Sequence, residues 1–333
     1  MSKWNRQTLR LPDNRITRVA RANSKLIAVL ALIALLSIVG EIVLGGGFIT
    51  WSQALSTMRF ASYTALFALC QMVVVSGGGS SLDLSVGYIA TITAIFGVAI
   101  MQGQSGAPFW LALLAAAGTG AFFGAFNGVL VSYFNLSPLV VTMSTSSIIQ
   151  GIINVYAAGS SISGKPSPIL RTLTVKYTFG IPNIVLVMAA LILVVTLILR
   201  HFRQGQALLG LGENPRTAYL SGANVKGYRL MTFVVSGLIA GLVGLMLAGN
   251  MNMAFKDMGS SYVMPSYAAV VVGGVSLVGG EASYLRVALG AIFLQTLSNL
   301  FIQLGGGDAV KWLGYGLILY ILLLVYASDQ RKK

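Results

Sequence analysis

The run from Leu26 to Leu44 carries one charged side chain, Glu41, and it is the first of a series of such runs. A helix needs roughly 20 mostly apolar residues to cross a bilayer. Runs of that kind are read at about 26–44, 60–76, 84–101, 109–132, 138–158, 182–199, 230–250, 263–278, 287–304 and 312–328. In lipid every backbone polar group must be satisfied inside its own segment, so such runs are helical. The expected fold class is an all-α polytopic membrane protein with about ten transmembrane helices. Charged residues make up 9% of the 333, against about 25% in soluble domains. A basic tail (1–25), a single transmembrane domain (26–328) and a short last tail (329–333) are the expected divisions.

The charges orient the chain. Of its 22 Lys and Arg, all but Arg59, Lys165, Arg171, Lys176, Lys256 and Lys311 fall in segments that this order of spans puts on one side. Loops rich in Lys and Arg stay in the cytoplasm, so both termini are expected there. The eighth span, 263–278, is short and glycine-interrupted. Dropping it would move the C-terminal basic residues outside. A net charge of +14 would suggest nucleic acid in a soluble chain; here it serves orientation, and no nucleic-acid partner is expected. The tail at 1–25 reads either as a segment lying on the anionic inner surface or as a plain positive-inside anchor. It lacks the cleavage pattern of a signal peptide.

Several chemistries are excluded. Cys70 is the one cysteine and His201 the one histidine. No internal disulfide, Cys/His metal cluster or Ser/His/Asp set can be built from them. No Gly-rich loop ends in Gly-Lys-Ser/Thr, so there is no phosphate-cradling loop of that type. The expectation is a chain that is not an enzyme, with no catalytic residue, metal or cofactor of its own.

The longest polar interruption runs from Gln204 to Tyr228. Arg200, Arg203, Arg216, Lys226 and Arg229 crowd it, against Glu213 alone. Asn214-Pro215 reads as a helix start, because Pro suits the first turn. Arg216 to Leu220 makes a short helix, and Gly222 ends it. Such an element on a cytoplasmic loop fits the docking of a soluble partner; a solvated connector is the other reading. On the outside, 159–181 is rich in Pro, Gly and Ser, which predicts turns and little regular structure.

Two patterns concern the interior. Val73 to Leu82 is echoed by Val270 to Leu277, both at the inner end of an inward-running span. Spans one to four and seven to ten would then be parallel pseudo-repeats, and glycine-interrupted segments in matching halves point to a transport pathway. Gly120, Gly124 and Gly128 recur at every fourth residue, as do Gly237 and Gly241. That spacing lets helix backbones approach closely, either for packing alone or at a moving interface.

Asp83 follows three glycines. A carboxylate inside a membrane costs roughly 2.5–3.5 kcal/mol on insertion scales, so it needs partners or water. It is expected to cap the helix starting near Leu84, accepting from the N–H of Ser85 or Val86, or to contact solute. Glu41 is expected to reach the outer headgroups. Other polar residues lie within spans: Ser85, Asn127, Thr142, Thr145, Gln150, Asn154, Gln295 and Asn299. Neutral donors and acceptors of this kind suit an uncharged, hydroxylated solute. Interhelical hydrogen bonding explains them equally well.

Four stretches resemble a known family. Ser81-Leu82-Asp83-Leu84-Ser85-Val86-Gly87 resembles the Gly-Ile-Asp-Leu-Ser-Val-Gly signature of sugar ABC-transporter permeases of the ribose/xylose/galactose type. Residues 212–225 (GENPRTAYLSGANV), 269–280 (AVVVGGVSLVGG) and 135–142 (NLSPLVVT) resemble three more of its motifs. Ser80-Ser81 and Arg216-Thr217 depart from the family pattern, while Ala218 and Gly222 keep its spacing. The resemblance implies a permease subunit that works as a pair with a second copy or a paralogue. It further implies ABC ATPase subunits that hold ATP and Mg, and an external solute-binding protein. Glu213, Asn214, Pro215, Arg216, Ala218, Ser221 and Gly222 would carry the ATPase coupling. Pentose, hexose, furanose and nucleoside permeases look alike at these motifs. An ion-coupled carrier using Asp83, or a membrane scaffold, is the competing class.

Overall fold

A computed structural model describes residues 24–317 and 320, except 79, 80, 160, 161, 163, 277 and 278. The expectations for the tail at 1–25 and for the last span and tail beyond 317 therefore fall almost wholly outside the described residues. The described residues are helical nearly throughout. In order come α1 (Ser24–Val43), α2 (Trp51–Ser76), α3 (Val86–Met101), α4 (Ala107–Ser132) and α5 (Pro138–Gly159). Then come α6 (Pro168–Thr174), β1 (Tyr177–Thr178), β2 (Ile181–Pro182), α7 (Asn183–His201), α8 (Arg203–Glu213) and α9 (Pro215–Leu220). α10 (Val225–Met251), α11 (Val263–Val272) and α12 (Tyr284–Gln303) follow, and residues 308–317 are again helical.

Seven of these helices are long and apolar enough to span a membrane: α1, α2, α4, α5, α7, α10 and α12. α3 and α11 are apolar but shorter. α11 departs most from the expected 263–278, because Gly273 and Gly274 end it after ten residues. At about 1.5 Å per residue it is about 15 Å long, half a bilayer core.

The centre is built from α2, α3, α10 and α12. Tyr63, Phe67, Leu69, Ile89, Ile95, Leu245, Tyr284 and Leu294 are all buried in one core. α4 lies along α10 on the two glycine stripes. A Cβ added at Gly120 would stand 2.9 Å from the carbonyl carbon of Gly237, and one at Gly124 would stand 3.0 Å from that of Phe233. No side chain larger than hydrogen fits, so the backbones touch. α1, α5 and α7 form the periphery. α1 and α7 turn Leu35, Ile42, Leu193 and Val194 outward, as lipid-facing helices do.

Three local expectations are corrected. Residues 159–182 hold α6 and a small antiparallel hairpin, more regular structure than the turns expected there. Ser167 starts α6 by accepting from the Ile169 N–H at 3.3 Å, and Pro168 fills its first position. The central polar loop holds a whole helix, α8, before the expected short one. Glu41 turns back on its own chain, accepting from the N–H groups of Gly47 (3.1 Å) and Ile49 (2.6 Å). The two donors in the turn after α1 explain that choice: a bent chain leaves its N–H groups free, and the carboxylate satisfies them.

Candidate functional site

The echo between 73–82 and 270–277 is a repeat of backbone geometry. α2 ends on Gly77 (φ −70, ψ −2), and α11 ends on Gly273 (φ −65, ψ −3). The next glycine in each is left-handed, Gly78 at φ 79 and Gly274 at φ 69. In each, that glycine's N–H donates to the carbonyl three residues back, Val75 or Val271, at 3.0 and 2.9 Å. Each break then leads into a new helix, α3 or α12.

The first break is pinned by side chains from two helices, α2 and α5. Leu82, Asp83 and Leu84 lie outside any helix, so their carbonyls have no intrahelical donor. Thr142 Oγ1 reaches the Leu82 carbonyl at 3.4 Å. Gln71 Nε2 donates to the Asp83 carbonyl at 2.7 Å, and its Oε1 accepts from the Asp83 N–H at 3.3 Å. Ser146 Oγ donates to the Leu84 carbonyl at 3.1 Å. Irregular backbone at membrane depth must be satisfied in this way.

The Asp83 carboxylate completes the arrangement. Its Oδ1 accepts from the Ser85 N–H at 3.0 Å and from Ser85 Oγ; its Oδ2 accepts from Ser236 Oγ at 3.2 Å. Asn127 Nδ2 donates to Ser85 Oγ at 2.9 Å, and Thr145 Oγ1 donates to Asn127 Oδ1 at 2.6 Å. The result is a directed relay from Thr145 on α5 through Asn127 on α4 and Ser85, the residue before α3, to Asp83, which Ser236 ties to α10. Hydrogen bonds in such chains strengthen one another. Asp83, Ser85, Asn127, Thr142 and Thr145 are all fully buried. They form one knot that fixes the break. Gln71 and Ser236 belong to it and were missed, because a lone Gln or Ser inside an apolar span carries no pattern.

The remaining sequence candidates lie elsewhere. Gln295 Nε2 donates to Asn299 Oδ1 at 3.0 Å, and Asn299 Nδ2 donates to Thr57 Oγ1 at 2.8 Å. This group joins α12 to the first half of α2. Asn154 is exposed and Gln150 half-exposed on α5, with Ser144 and Ser147 on the same open side.

The end of the molecule where α2 and α7 finish holds a second cluster. α8 runs into it and stops at Asn214, whose Oδ1 accepts from the N–H groups of Arg216 (3.1 Å) and Thr217 (3.0 Å) to start α9. Gly222 has φ 83, and the Ala223 N–H returns to the Ala218 carbonyl at 3.0 Å. Every residue of α9 is at least partly exposed. By contrast Gly212 is buried against backbone from both breaks. A Cβ there would meet the Gly279 carbonyl carbon at 2.9 Å, with Ser76 O and Gly280 N nearer still. A Cβ at Gly280 would stand 2.5 Å from Glu213 Cγ. Next along, Glu281 pairs with Arg286 at 2.9 Å, at the start of α12, and with Lys25, at the start of α1. One polar segment is thus wedged between the two repeats.

Among the described residues no group of His, Cys, Asp and Glu could hold a metal ion. Residues 53–326 match the family described as "Branched-chain amino acid transport system / permease component". The chain is similar to the ribose import permease protein of Escherichia coli strain K12, 28% identical over 311 residues, covering 92% of this chain and 93% of the relative. It is similar to the D-allose transport system permease protein of the same strain, 27% identical over 252 residues, 76% of each chain. The autoinducer 2 import system permease protein of Enterobacter sp. strain 638 is 29% identical over 281 residues, 84% of this chain and 80% of the relative. No solved structure matches.

Proposed function

The chain belongs to this permease family, and we propose that it is the membrane-spanning subunit of an ATP-binding-cassette importer that carries a monosaccharide inward across the cytoplasmic membrane. The observation that carries the reading is the seat of Gly212 between Ser76 and Gly279-Gly280. A cytoplasmic segment bearing an exposed short helix is thereby in contact with the ends of both repeats. Force applied to α9 by a partner reaches both breaks at once. The relatives named as ribose and allose permeases support a sugar as the cargo.

In this reading Glu213, Asn214, Pro215, Arg216, Ala218, Ser221 and Gly222 meet an ATPase subunit, which holds ATP and Mg. A second permease copy or a paralogue stands opposite, and an external solute-binding protein delivers the sugar. The open polar side of α5, with Gln150 and Asn154, faces the pathway between the two permeases. Gln295 and Asn299 lie toward the entrance. The buried knot of Asp83, Ser85, Asn127, Thr142 and Thr145 shapes the pathway wall without touching cargo. ATP and sugar must bind the inward-open and outward-open states with different affinity, or neither could drive the change.

The test is uptake by proteoliposomes. Import of labelled pentoses or hexoses is expected only with the ATPase and the solute-binding protein present. Uptake by this chain alone would favour an ion-coupled carrier. Reporter fusions are expected to read external after Lys165 and cytoplasmic at Asn224; both on one side would overturn the orientation.

A further inference from the structure

The stretch between α10 and α11 does not stay at the outer surface. α10 ends at Met251, and Asn250 receives a hydrogen bond from Arg59 in the outer part of α2 at 2.8 Å. From there the chain descends. Gly259 lies against Gly87, where a Cβ would stand 2.6 Å from the Gly259 carbonyl oxygen. Gly87 is about 21 Å along α3 from its outer end at Met101, at about 1.5 Å per residue. The ring of Tyr262 stacks on Phe67, in the interior of α2, at 5.1 Å. Gln150, near the middle of α5, donates from Nε2 to Asp257 Oδ1 at 3.5 Å. Three helices thus agree that residues 257–262 sit near mid-depth.

Asp257 is built for display. Its φ is 63, a left-handed value uncommon for a residue with a side chain. Its carbonyl accepts from Ser260 twice, from N–H at 3.1 Å and Oγ at 2.7 Å. The Gly259 N–H is tied to Thr91 Oγ1 at 3.0 Å. The backbone is fastened, and the carboxylate is exposed with Gln150 as its neighbour. Among the described residues no Lys or Arg forms an ion pair with it. A carboxylate at this depth is not stable against lipid. Non-helical backbone at this depth occurs only where protein covers it or water lines it. An exposed Asp on such backbone therefore faces water.

We propose that Asp257, with Gln150 beside it, is the mid-membrane binding point for the solute, and that the solute is neutral and carries adjacent hydroxyl groups. The inference rests on the import reading above and adds the residue and the selection rule. A carboxylate only accepts hydrogen bonds, so its two oxygens take two hydroxyl donors. Gln150 offers one donor and one acceptor to orient the ring. Phosphorylated sugars are repelled by like charge.

The experiment uses the complete complex of permease, ATPase and binding protein in liposomes, with labelled pentoses and hexoses. Asp257→Ala is expected to assemble in wild-type yield and to import the best-carried sugar at least tenfold more slowly at saturating binding protein. Asp257→Asn keeps one acceptor and falls less. Import by Asp257→Ala at the wild-type rate overturns the proposal. A second measurement needs no known sugar. In a Cys70→Ala background, Asp257→Cys is expected to react with a hydrophilic, membrane-impermeant thiol reagent added outside. Failure to react overturns the water-lined position. If the wild type imports no sugar in the panel, the import reading fails on that result alone, while labelling still decides whether position 257 faces water.

Discussion

Gly279 and Gly212 meet backbone to backbone: a Cβ on Gly279 would stand 2.8 Å from the Cα of Gly212, and 2.6 Å from that of Gly78. Three segments far apart in sequence are joined at this point without an intervening side chain. A methyl group at Gly212 has nowhere to go, because its neighbours are backbone. Overpacking of this kind typically costs about 1–3 kcal/mol. Gly212→Ala is expected to lower the unfolding temperature and to reduce the sugar carried per ATP hydrolysed, with ATPase still bound through the exposed α9. Gly210→Ala, where nothing lies within 4 Å, serves as the control. Equal transport by the two variants would mean that the joint does not transmit motion.

Asp83 gives a prediction with a built-in contrast. Asp83→Ala removes the acceptor for three donors, two from Ser85 and one from Ser236. Each buried donor left unpaired costs about 1–3 kcal/mol. The variant is expected to lose thermal stability and expression. Asp83→Asn keeps one acceptor oxygen toward Ser85, and its amide can donate to Ser236 Oγ. It should retain most stability and uptake. A well-folded Asp83→Asn as inactive as the alanine variant would show that the charge itself is needed, and would revive the ion-coupled class.

The existence of the long spans was legible because lipid imposes a length and a composition that a sequence displays directly, although α2 begins nine residues before the expected 60 and α11 stops six before the expected 278. The repeat was legible at Gly77-Gly78 and Gly273-Gly274 because a helix end needs a left-handed residue, and glycine supplies it most readily. α8 was not, since a helix outside the spans, packed on its glycines Gly205 and Gly212, shows neither an apolar run nor a strong helix former at those sites. Asp257 was passed over for a related reason. Met253 to Ser261 is polar enough to read as an outer loop. Only the contacts with Gly87, Thr91 and Gln150 reveal its depth, and these are tertiary. Gln150 and Asn154 looked equivalent to Thr142 and Thr145 by composition; helix rotation, fixed by packing, separates the open pair from the buried one.

The Lys25–Glu281–Arg286 group makes a pH-dependent contribution. Partial burial raises the Glu281 pKa, but the hydrogen bonds from Lys25 and Arg286 outweigh it and hold the group below its usual 4.5. A carboxyl lowered on folding adds stability above its unfolded pKa and loses it as pH falls through the folded one. The wild type should therefore unfold at a higher temperature than Glu281→Gln at pH 7. The gap should close only as the pH drops below 4.5. The glutamate is half exposed, so the gap is small and shrinks in high salt. A gap unchanged in acid would show that the ion pairs do not hold α1 to this loop.

Gly222 separates docking from folding. It sits at φ 83, and a Cβ added there would meet nothing within 4 Å. Substitution therefore introduces backbone strain alone, with no clash inside the chain. For an L residue the left-handed conformation costs roughly 1–2 kcal/mol, and a branched side chain fares worst. Asn tolerates it better than other residues. Gly222→Asn is expected to behave as the wild type, Gly222→Ala to be intermediate, and Gly222→Val to shift the turn that returns the chain from α9 to α10. Every residue of α9 is exposed in some measure, so that shift displaces a surface and leaves the membrane core intact. The valine variant should insert and purify normally, yet bind its ATPase weakly and fail to import, in graded order with the other two. Normal ATPase binding and uptake by Gly222→Val would reduce residues 213–222 to a passive connector.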